Sequence, residues 1–257
     1  VQPLMSRYLK KLDEALQSMG FMCPFLLMTS GGGLTTLDTS IKFPVRLVES
    51  GPAGGAILAT EIAKECGIDN VLSFDMGGTT AKICLIDDYT PQMTRTFEVA
   101  RVYRNLKGSG LPLRIPAIEM VEIGAGGGSI AKVDEMKRIS VGPESSGASP
   151  GPACYGQGGL DATVTDADVI LGRIDPKDFA GGAVKLAPEK ADLALQTAVG
   201  DQLSLNSSLS AFGVSEIVDE NMANAARVHA IEWGKDISAR SMIAFGGAAP
   251  LHALRLA

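Results

Sequence analysis

The sequence lacks the features that mark secreted, membrane-spanning and nucleic-acid-binding proteins. Its 257 residues include only four cysteines, with no Cys-x-x-Cys pair and no cluster with the two histidines, which disfavours a disulfide framework or a structural zinc site. No apolar run approaches the roughly 18 residues that a membrane span needs, and the first twenty residues carry charges instead of a signal-peptide core. There is no block of basic residues and the net charge is -6, so a nucleic-acid partner is not expected. We expect a soluble cytoplasmic protein with reduced thiols.

Glycine is the residue that stands out. The chain holds 30 glycines, against about 7% in an average protein, and they occur in short clusters. Hydrophobic residues make up 46% and charged residues 20%, which is the balance of a folded globular chain. The sequence starts at Val1 without an initiator methionine and ends in a segment with a helical pattern. We expect a folded fragment whose function lies in its glycine clusters.

Apolar spacing predicts a chain of mixed helices and strands. The first helix is expected to bury a face that includes Leu4 and Tyr8, and Ser50 is expected to cap the second helix, which Gly67 ends. The predicted helices cover residues 3–19, 50–66, 188–199 and 213–234, and the predicted strands 25–29, 71–75, 81–86, 94–103, 117–123 and 241–245. Residues 124–159 are expected to form a long ordered loop, because glycines and prolines interrupt any regular element there.

The segment from Asp75 to Lys82 carries the strongest functional signal. It reads Asp-Met-Gly-Gly-Thr-Thr-Ala-Lys between two apolar strands, so a carboxylate, the glycines Gly77 and Gly78 and the hydroxyls of Thr79 and Thr80 meet at one tight turn. Bare backbone N–H groups can approach a phosphate, and a carboxylate can hold metal-bound water or orient a nucleophile. The alternative is an ordinary hairpin turn that Asp75 merely caps.

Two further glycine turns extend this signal. Gly246 and Gly247 follow a predicted strand and precede a predicted helix, an arrangement in which a flat base can lie on the backbone and the helix N-terminus favours negative charge. Gly126, Gly127 and Gly128 follow the strand at 117–123 and form another turn able to accept an anion. Each turn alone is a weak signal, and their order along the chain strengthens it.

That order resembles the nucleotide-binding half of the superfamily of actin, sugar kinases and heat-shock ATPases. Within that superfamily, the sequence motifs are similar to those of the hydantoinase A, N-methylhydantoinase and 5-oxoprolinase family. The motifs that carry the resemblance, in family order, are Ser50 to Gly55, Asp75 to Lys82, Ile123 to Ala131, Gly147 to Gly159, Thr163 to Asp168 and Phe245 to Ala253.

The resemblance implies an α/β fold of the ribonuclease H-like, actin-like ATPase type. Residues 1–66 would be the C-terminal tail of a first lobe with its connector helix, and residues 71–257 would form a second lobe with a glycine-rich insertion at about 124–160. Family members carry another Asp-x-Gly-Gly-Thr loop upstream, whereas this chain has one such loop, at Asp75. We therefore expect half of a nucleotide cleft, and an inactive isolated fragment.

The activity implied by the resemblance is ATP-dependent and Mg2+-dependent hydrolysis of a cyclic amide, a hydantoin or 5-oxoproline, with a second subunit of the hydantoinase B type. Asp75 would hold Mg2+-bound water or orient the transferring phosphate. Gly77, Gly78, Thr79 and Thr80 would bind phosphate oxygens, and Gly246 and Gly247 would flank the nucleoside. Gly126 to Gly128 would border the cleft.

Two other functions remain open. A subunit of an ATP-dependent ketone carboxylase, of the acetone carboxylase type, would share the phosphorylation step but join an activated enolate to bicarbonate. A non-catalytic actin-like module would bind nucleotide without substrate-stimulated turnover and would expose an apolar patch to a partner.

Four further side chains have competing interpretations. Cys154 is a structural residue or a nucleophile or metal ligand, with the structural use favoured because no histidine neighbours it in the sequence. Asp166 has two interpretations: it positions substrate, or it caps a helix as part of the pattern Thr163-x-Thr165-Asp166. His229 lies on the apolar stripe of its helix, and His252, which follows the second glycine turn, is the better candidate for touching nucleotide.

Overall fold

The structure is a computed structural model that describes residues 2–99 and 108–257. It divides into two compact units, one of Val1–Val71 with Cys84–Met120 and the other of Leu72–Ile83 with Val121–Ala257. The predicted boundary between residues 66 and 71 coincides with the start of a strand, but residues 84–120 group with the first unit. The assignment of the units to two actin-like lobes stays a prediction.

The described chain contains the helices and strands that follow. The strands are β1 (Leu26–Met28), β2 (Leu34–Thr36), β3 (Asn70–Met76), β4 (Ala81–Asp87), β5 (Thr90–Pro91), β6 (Met93–Thr94), β7 (Phe97–Val99), β8 (Leu111–Leu113), β9 (Ala117–Ile118), β10 (Val121–Ile123), β11 (Ser129–Val133), β12 (Ile139–Ser145) and β13 (Ser241–Phe245). The helices are α1 (Gln2–Ser18), α2 (Leu37–Lys42), α3 (Ser50–Cys66), α4 (Val164–Ile170), α5 (Pro188–Leu195), α6 (Asp201–Leu203), α7 (Ser207–Glu232) and α8 (Ala249–Leu256). Within the described residues, none of these helices combines the length and apolarity needed to cross a membrane.

A five-stranded sheet contains the predicted hairpin. Its order is β10-β4-β3-β13, with β5 paired to β4, and the division between the units falls inside β3 and β4. Both strands are nearly continuous apolar runs, and Phe74, Met76, Ile83 and Leu85 are fully buried, as expected for strands covered on both faces. The predicted strand at 241–245 is confirmed as β13.

The first unit confirms most predicted elements and corrects their details. Helix α1 forms, but Leu9 is its buried residue, whereas Leu4 and Tyr8 are exposed. Helix α3 ends at Gly67 with φ 66°, as predicted, but its N-cap is Glu49 at φ 56°, whose side chain does not cap the helix. Ser50 is therefore the first helical residue instead of the cap.

Strand positions between residues 90 and 123 are only partly as predicted. The predicted strand at 94–103 is represented by β6 and β7, and its last part lies outside the described residues. The predicted strand at 117–123 is two strands, of which β9 pairs with β6 and β10 pairs with β4. A short apolar run can change partner within a few residues, which periodicity alone does not reveal.

The expected long loop at 124–159 is wrong in its middle part. Strands β11 and β12 form an antiparallel hairpin there, with a register irregularity between Ser129 and Ala131. Pro143 lies within β12. In a two-stranded sheet every strand is an edge strand, so a proline and a bulge are tolerated.

The helices of the second unit are longer or less regular than predicted. Helix α5 is followed by a π-helical turn at Gln196–Gly200, and α7 begins at Ser207, where the Asn206 side chain caps it. One face of α7 is buried and includes Val214, Val218 and Met222, which confirms the predicted apolar stripe.

Candidate functional site

The candidate site is the turn between β3 and β4, which lies in the second unit. Gly77 N–H donates to the Thr80 carbonyl oxygen at 3.2 Å and closes the turn. Gly78 and Thr79 are exposed, whereas Asp75 is half-buried at the end of β3. Residues 75–80, which we call the phosphate hairpin, thus place one carboxylate beside an exposed glycine turn.

The backbone of the phosphate hairpin is open to a ligand. A Cβ atom built on Gly77 or Gly78 would meet no heavy atom within 4 Å, so packing within the described residues does not explain these glycines. Among those residues, no protein acceptor takes the N–H of Gly78 or Thr79. Unused N–H groups on an exposed glycine turn are suited to bind an anion such as phosphate.

The glycine loop at 124–128 lies against the hairpin. Gly127 N–H donates to the Gly77 carbonyl oxygen at 3.0 Å, and Gly128 N–H to the Gly78 carbonyl oxygen at 2.6 Å. A Cβ on Gly126 would lie 2.6 Å from the backbone nitrogen of Thr79, closer than any real contact. The three glycines are buried, so they support the hairpin, and their place at the border of a cleft stays a prediction.

The second glycine turn reaches the same hairpin from β13. Gly246 has φ 94°, and a Cβ there would lie 2.6 Å from Asp75 Oδ1 and 2.6 Å from the Met76 carbonyl oxygen. Ala248 N–H donates to that carbonyl oxygen at 2.9 Å. Gly247 is exposed, and a Cβ on it would meet nothing within 4 Å. Gly246 therefore packs against Asp75, and Gly247 has the open backbone that a ligand needs.

Asp75 sits beside a cation that the sequence reasoning did not single out. Burial raises the pKa of the Asp75 carboxyl above its usual value, and the positive charge of Lys82 partly offsets that rise. Lys82 Nζ donates to Thr80 Oγ1 at 2.7 Å and pairs with Glu122 at 3.3 Å. The signal was its position two residues after Thr80, because side chains two positions apart in extended chain point to the same side.

The donor set fits a metal-bound nucleotide better than a metal held by protein alone. In the described part of the chain, no group of three or more His, Cys, Asp or Glu side chains could hold a metal ion. Mg2+ is commonly bound by one or two carboxylates together with substrate phosphates and water. Asp75 next to open backbone N–H groups matches that arrangement.

Asp166 caps a helix, as one of its two interpretations predicts. It is fully buried, and with Thr163 it forms a capping box at the start of α4. Its carboxylate also accepts hydrogen bonds from Cys154 N–H at 2.7 Å and Ala153 N–H at 3.3 Å. A carboxylate enclosed by these donors has no exposed face, so direct contact with substrate is not supported.

Cys154 is structural. Its side chain is fully buried in a small cluster with Val169, Leu186 and Ala191. Burial, together with the nearby Asp166 charge, raises the pKa of the thiol far above its ordinary value. A thiol held protonated in this way is a poor nucleophile and a poor metal ligand.

His252 does not touch the candidate nucleotide site, contrary to expectation. It is fully buried, with Nδ1 2.6 Å from Asp219 Oδ1 and Nε2 3.2 Å from Asp168 Oδ2. Arg173 extends this group by a 3.1 Å ion pair with Asp168. The sequence reasoning missed the cluster because its members come from distant segments.

His229 is also buried on α7.

The buried cluster makes stability depend on pH. Burial lowers the pKa of His252, but hydrogen bonds to Asp168 and Asp219 and their charges outweigh it and raise the pKa from 6.5 to about 9. A raised pKa contributes stability that is complete below pH 6.5 and is lost as the pH rises through 9. At about 1.4 kcal/mol per pKa unit, the loss approaches about 3 kcal/mol.

We expect urea unfolding to report this loss between pH 6 and pH 9.5. The His252→Gln variant lacks the titrating group, so its free energy of unfolding should change less over that range. An equal pH dependence in both proteins would contradict the assignment to His252.

Comparison with known proteins identifies what this chain is similar to. A family model described as hydantoinase/oxoprolinase matches residues 1–257. Subunit alpha of the caprolactamase of Pseudomonas jessenii is 34% identical over 257 residues, which covers 100% of this chain and 36% of that subunit. A crystal structure of the ATP-dependent caprolactamase from that organism superposes with a TM-score of 0.77 at 32% identity, over 100% of this chain and 36% of the other.

Two other relatives act on different substrates. The nucleotide-free structure of acetone carboxylase, which performs ATP-dependent acetone carboxylation, superposes with a TM-score of 0.85 at 27% identity, over 98% of this chain and 34% of the other. The 5-oxoprolinase of Saccharomyces cerevisiae is 31% identical over 267 residues, covering 99% of this chain and 20% of that enzyme. The chain thus shares its α/β fold with two solved enzymes and spans between a fifth and a little over a third of these relatives.

Proposed function

The chain belongs to the hydantoinase/oxoprolinase family, and from that membership we propose that the whole protein containing it uses ATP and Mg2+ to hydrolyse a cyclic amide such as a hydantoin or 5-oxoproline. The observation that carries this proposal is the convergence of two glycine loops on the phosphate hairpin. A Cβ on Gly77, Gly78 or Gly247 would meet no heavy atom within 4 Å, and Gly246, next to Gly247, packs against Asp75. The fold we propose is ribonuclease H-like, of the actin-like ATPase type.

We infer a role for each part of the hairpin, which its open backbone supports. The N–H groups of Gly78 and Thr79 would hold phosphate oxygens, and the hydroxyls of Thr79 and Thr80 would add further donors. Thr80 Oγ1 accepts from Lys82 Nζ at 2.7 Å, so the ammonium group places positive charge beside the same phosphates. Gly247 would flank the nucleoside, and Gly246 would keep that turn against Asp75.

Asp75 would hold Mg2+ through water and orient the transferring phosphate. ATP supplies the phosphoryl group that turns a resonance-stabilised amide carbonyl into a better electrophile. Burial already raises the pKa of the Asp75 carboxyl, and Lys82 and a divalent cation both favour its ionised form. The role of Asp75 is therefore electrostatic, and it depends on the hairpin holding the carboxylate at the end of β3.

A carboxylase is the second candidate, favoured by the TM-score of 0.85 to acetone carboxylase. The phosphate hairpin would serve it equally, because both reactions begin with phosphorylation of a substrate oxygen. We further propose a second subunit of the hydantoinase B type, since the caprolactamase relative is named as subunit alpha. A cytoplasmic location rests on the scattered cysteines of the sequence.

Substrate-stimulated ATP hydrolysis tests the proposal. The whole protein, with its second subunit, would receive hydantoin, 5-oxoproline or acetone plus bicarbonate, and phosphate release would be measured with and without each compound. Stimulation by a cyclic amide supports the hydrolase, and stimulation only by ketone and bicarbonate assigns the carboxylase. Nucleotide binding without stimulation by any compound would favour a non-catalytic module.

A further inference from the structure

The buried charged cluster around His252 links three helices of the second unit. His252 belongs to α8, Asp168 to α4 and Asp219 to α7, and both ring nitrogens of the histidine are engaged. Ser215 donates to the second oxygen of Asp219 at 3.3 Å. The proposed chemistry uses none of these groups. A buried charged cluster is stable only where hydrogen bonds satisfy its polar atoms.

One connection leads from the cluster to the phosphate hairpin through α4. Thr165, three residues before Asp168, donates to the Gly127 carbonyl oxygen from its N–H at 2.7 Å and from its hydroxyl at 2.8 Å. Gly127 in turn donates to the Gly77 carbonyl oxygen at 3.0 Å. The position of α4 therefore sets the position of the glycine loop that supports the hairpin.

A second connection leads through α8. Helix α8 begins at Ala249, directly after the turn in which Gly246 packs on Asp75 and Ala248 N–H binds the Met76 carbonyl oxygen. His252 lies in the first turn of that helix. A hydrogen-bonded histidine at this position fixes where α8 starts, and with it the turn before the helix.

We propose that His252, held between Asp168 and Asp219, is a positioning residue that keeps the loops at 124–128 and 246–248 against the phosphate hairpin. The loop at 124–128 is bonded to α4, and the turn at 246–248 leads into α8. His252 bonds α8 to both α4 and α7, and an ion pair between Arg255 and Glu216 adds a second bond from α8 to α7. The effect of His252 on nucleotide binding rests on the function proposed above, whereas its effect on the two loops does not.

Backbone amide hydrogen exchange and Mg2+-ATP binding, measured on the whole protein, test this role together. In His252→Gln we expect amides in 124–128 and 246–248 to exchange at least tenfold faster and the Kd for Mg2+-ATP to rise at least tenfold. Arg173→Gln removes the guanidinium group that pairs with Asp168 in the cluster. Leu195→Ala truncates a fully buried side chain of α5 and so lowers stability away from the cluster. Both controls should change either quantity less than threefold.

The outcomes separate positioning from general stability. Unchanged exchange in both loops of His252→Gln, or an equal acceleration in Leu195→Ala, would overturn the proposal. If the unmodified protein does not bind Mg2+-ATP, the proposed function fails, and the exchange of the two loops still decides the positioning role. If His252→Gln does not fold, Asp219→Asn removes one of its partners and is judged by the same criteria.

Discussion

Replacing Asp75 with asparagine is expected to lower substrate-stimulated ATP turnover by about 10²- to 10³-fold, the range for removing one group that stabilises charge in the transition state. The free energy of unfolding should not fall. Burial raises the pKa of this carboxyl, so the ionised form is disfavoured by folding, and a neutral side chain of the same size removes that penalty. Steady-state phosphate release and thermal unfolding measure the two effects.

A matched control lies at the other end of β4. Asp88 is exposed and has φ 47°, a backbone conformation that asparagine tolerates, so Asp88→Asn removes one charge without disturbing the turn. It should retain full turnover. Asp75→Asn with undiminished turnover would remove Asp75 from the chemistry and leave it the cap of an ordinary hairpin.

The largest effect on stability is expected at Asp166. Alanine there removes an acceptor from the backbone N–H groups of Ala153, Cys154 and Thr163 and from the Thr163 hydroxyl. Each buried donor left without a partner costs about 1–3 kcal/mol, and four donors lose their acceptor together. We expect a loss of about 3–5 kcal/mol in the free energy of unfolding, measured by urea titration.

Asp161→Ala is the control for that substitution, because Asp161 is exposed nearby in the chain, and its effect should stay within about 0.5 kcal/mol. The comparison also decides between the two interpretations of Asp166. An Asp166→Ala protein of unchanged stability that has lost turnover would identify a substrate ligand and contradict the capping assignment.

Local patterns predicted the parts of the site that depend on a few neighbouring residues. The β3–β4 hairpin, the turn at Gly77 and the strand before Gly246 follow from apolar runs that end in glycine pairs. The cap formed by Thr163 and Asp166 likewise follows from a four-residue pattern. Such features are fixed by backbone conformation and by hydrogen bonds within a turn, so the sequence contains the information needed to predict them.

The sequence could not predict which glycines are open to a ligand and which pack against other segments. Gly77 and Gly246 look alike in sequence, yet a Cβ would be free at the first and would collide with Asp75 at the second. Only the approach of distant segments distinguishes them. The same reason hid the cluster of Asp168, Asp219 and His252, whose members lie 33 and 84 positions apart in the pairs they form.

The hairpin of β11 and β12 was missed for a different reason. Its glycines and Pro143 are typical of irregular chain, and the local signal was interpreted as a loop. Tertiary context overrides that signal, because Gly128, just before β11, and Ser146, just after β12, are joined by a 2.9 Å hydrogen bond from Ser146 N–H to the Gly128 carbonyl oxygen. That bond depends on the supporting loop and cannot be read from composition.

The central claim is that the open glycines of the phosphate hairpin bind the phosphates of a nucleotide. The most direct measurement is the Kd for Mg2+-ATP, by calorimetry, of the whole protein and of its Gly78→Ala and Gly51→Ala variants. A Cβ meets no atom within 4 Å at either position, so both variants should fold normally. The account predicts that Gly78→Ala binds at least tenfold more weakly while Gly51→Ala binds as the unmodified protein does. Equal affinity of all three proteins would contradict it.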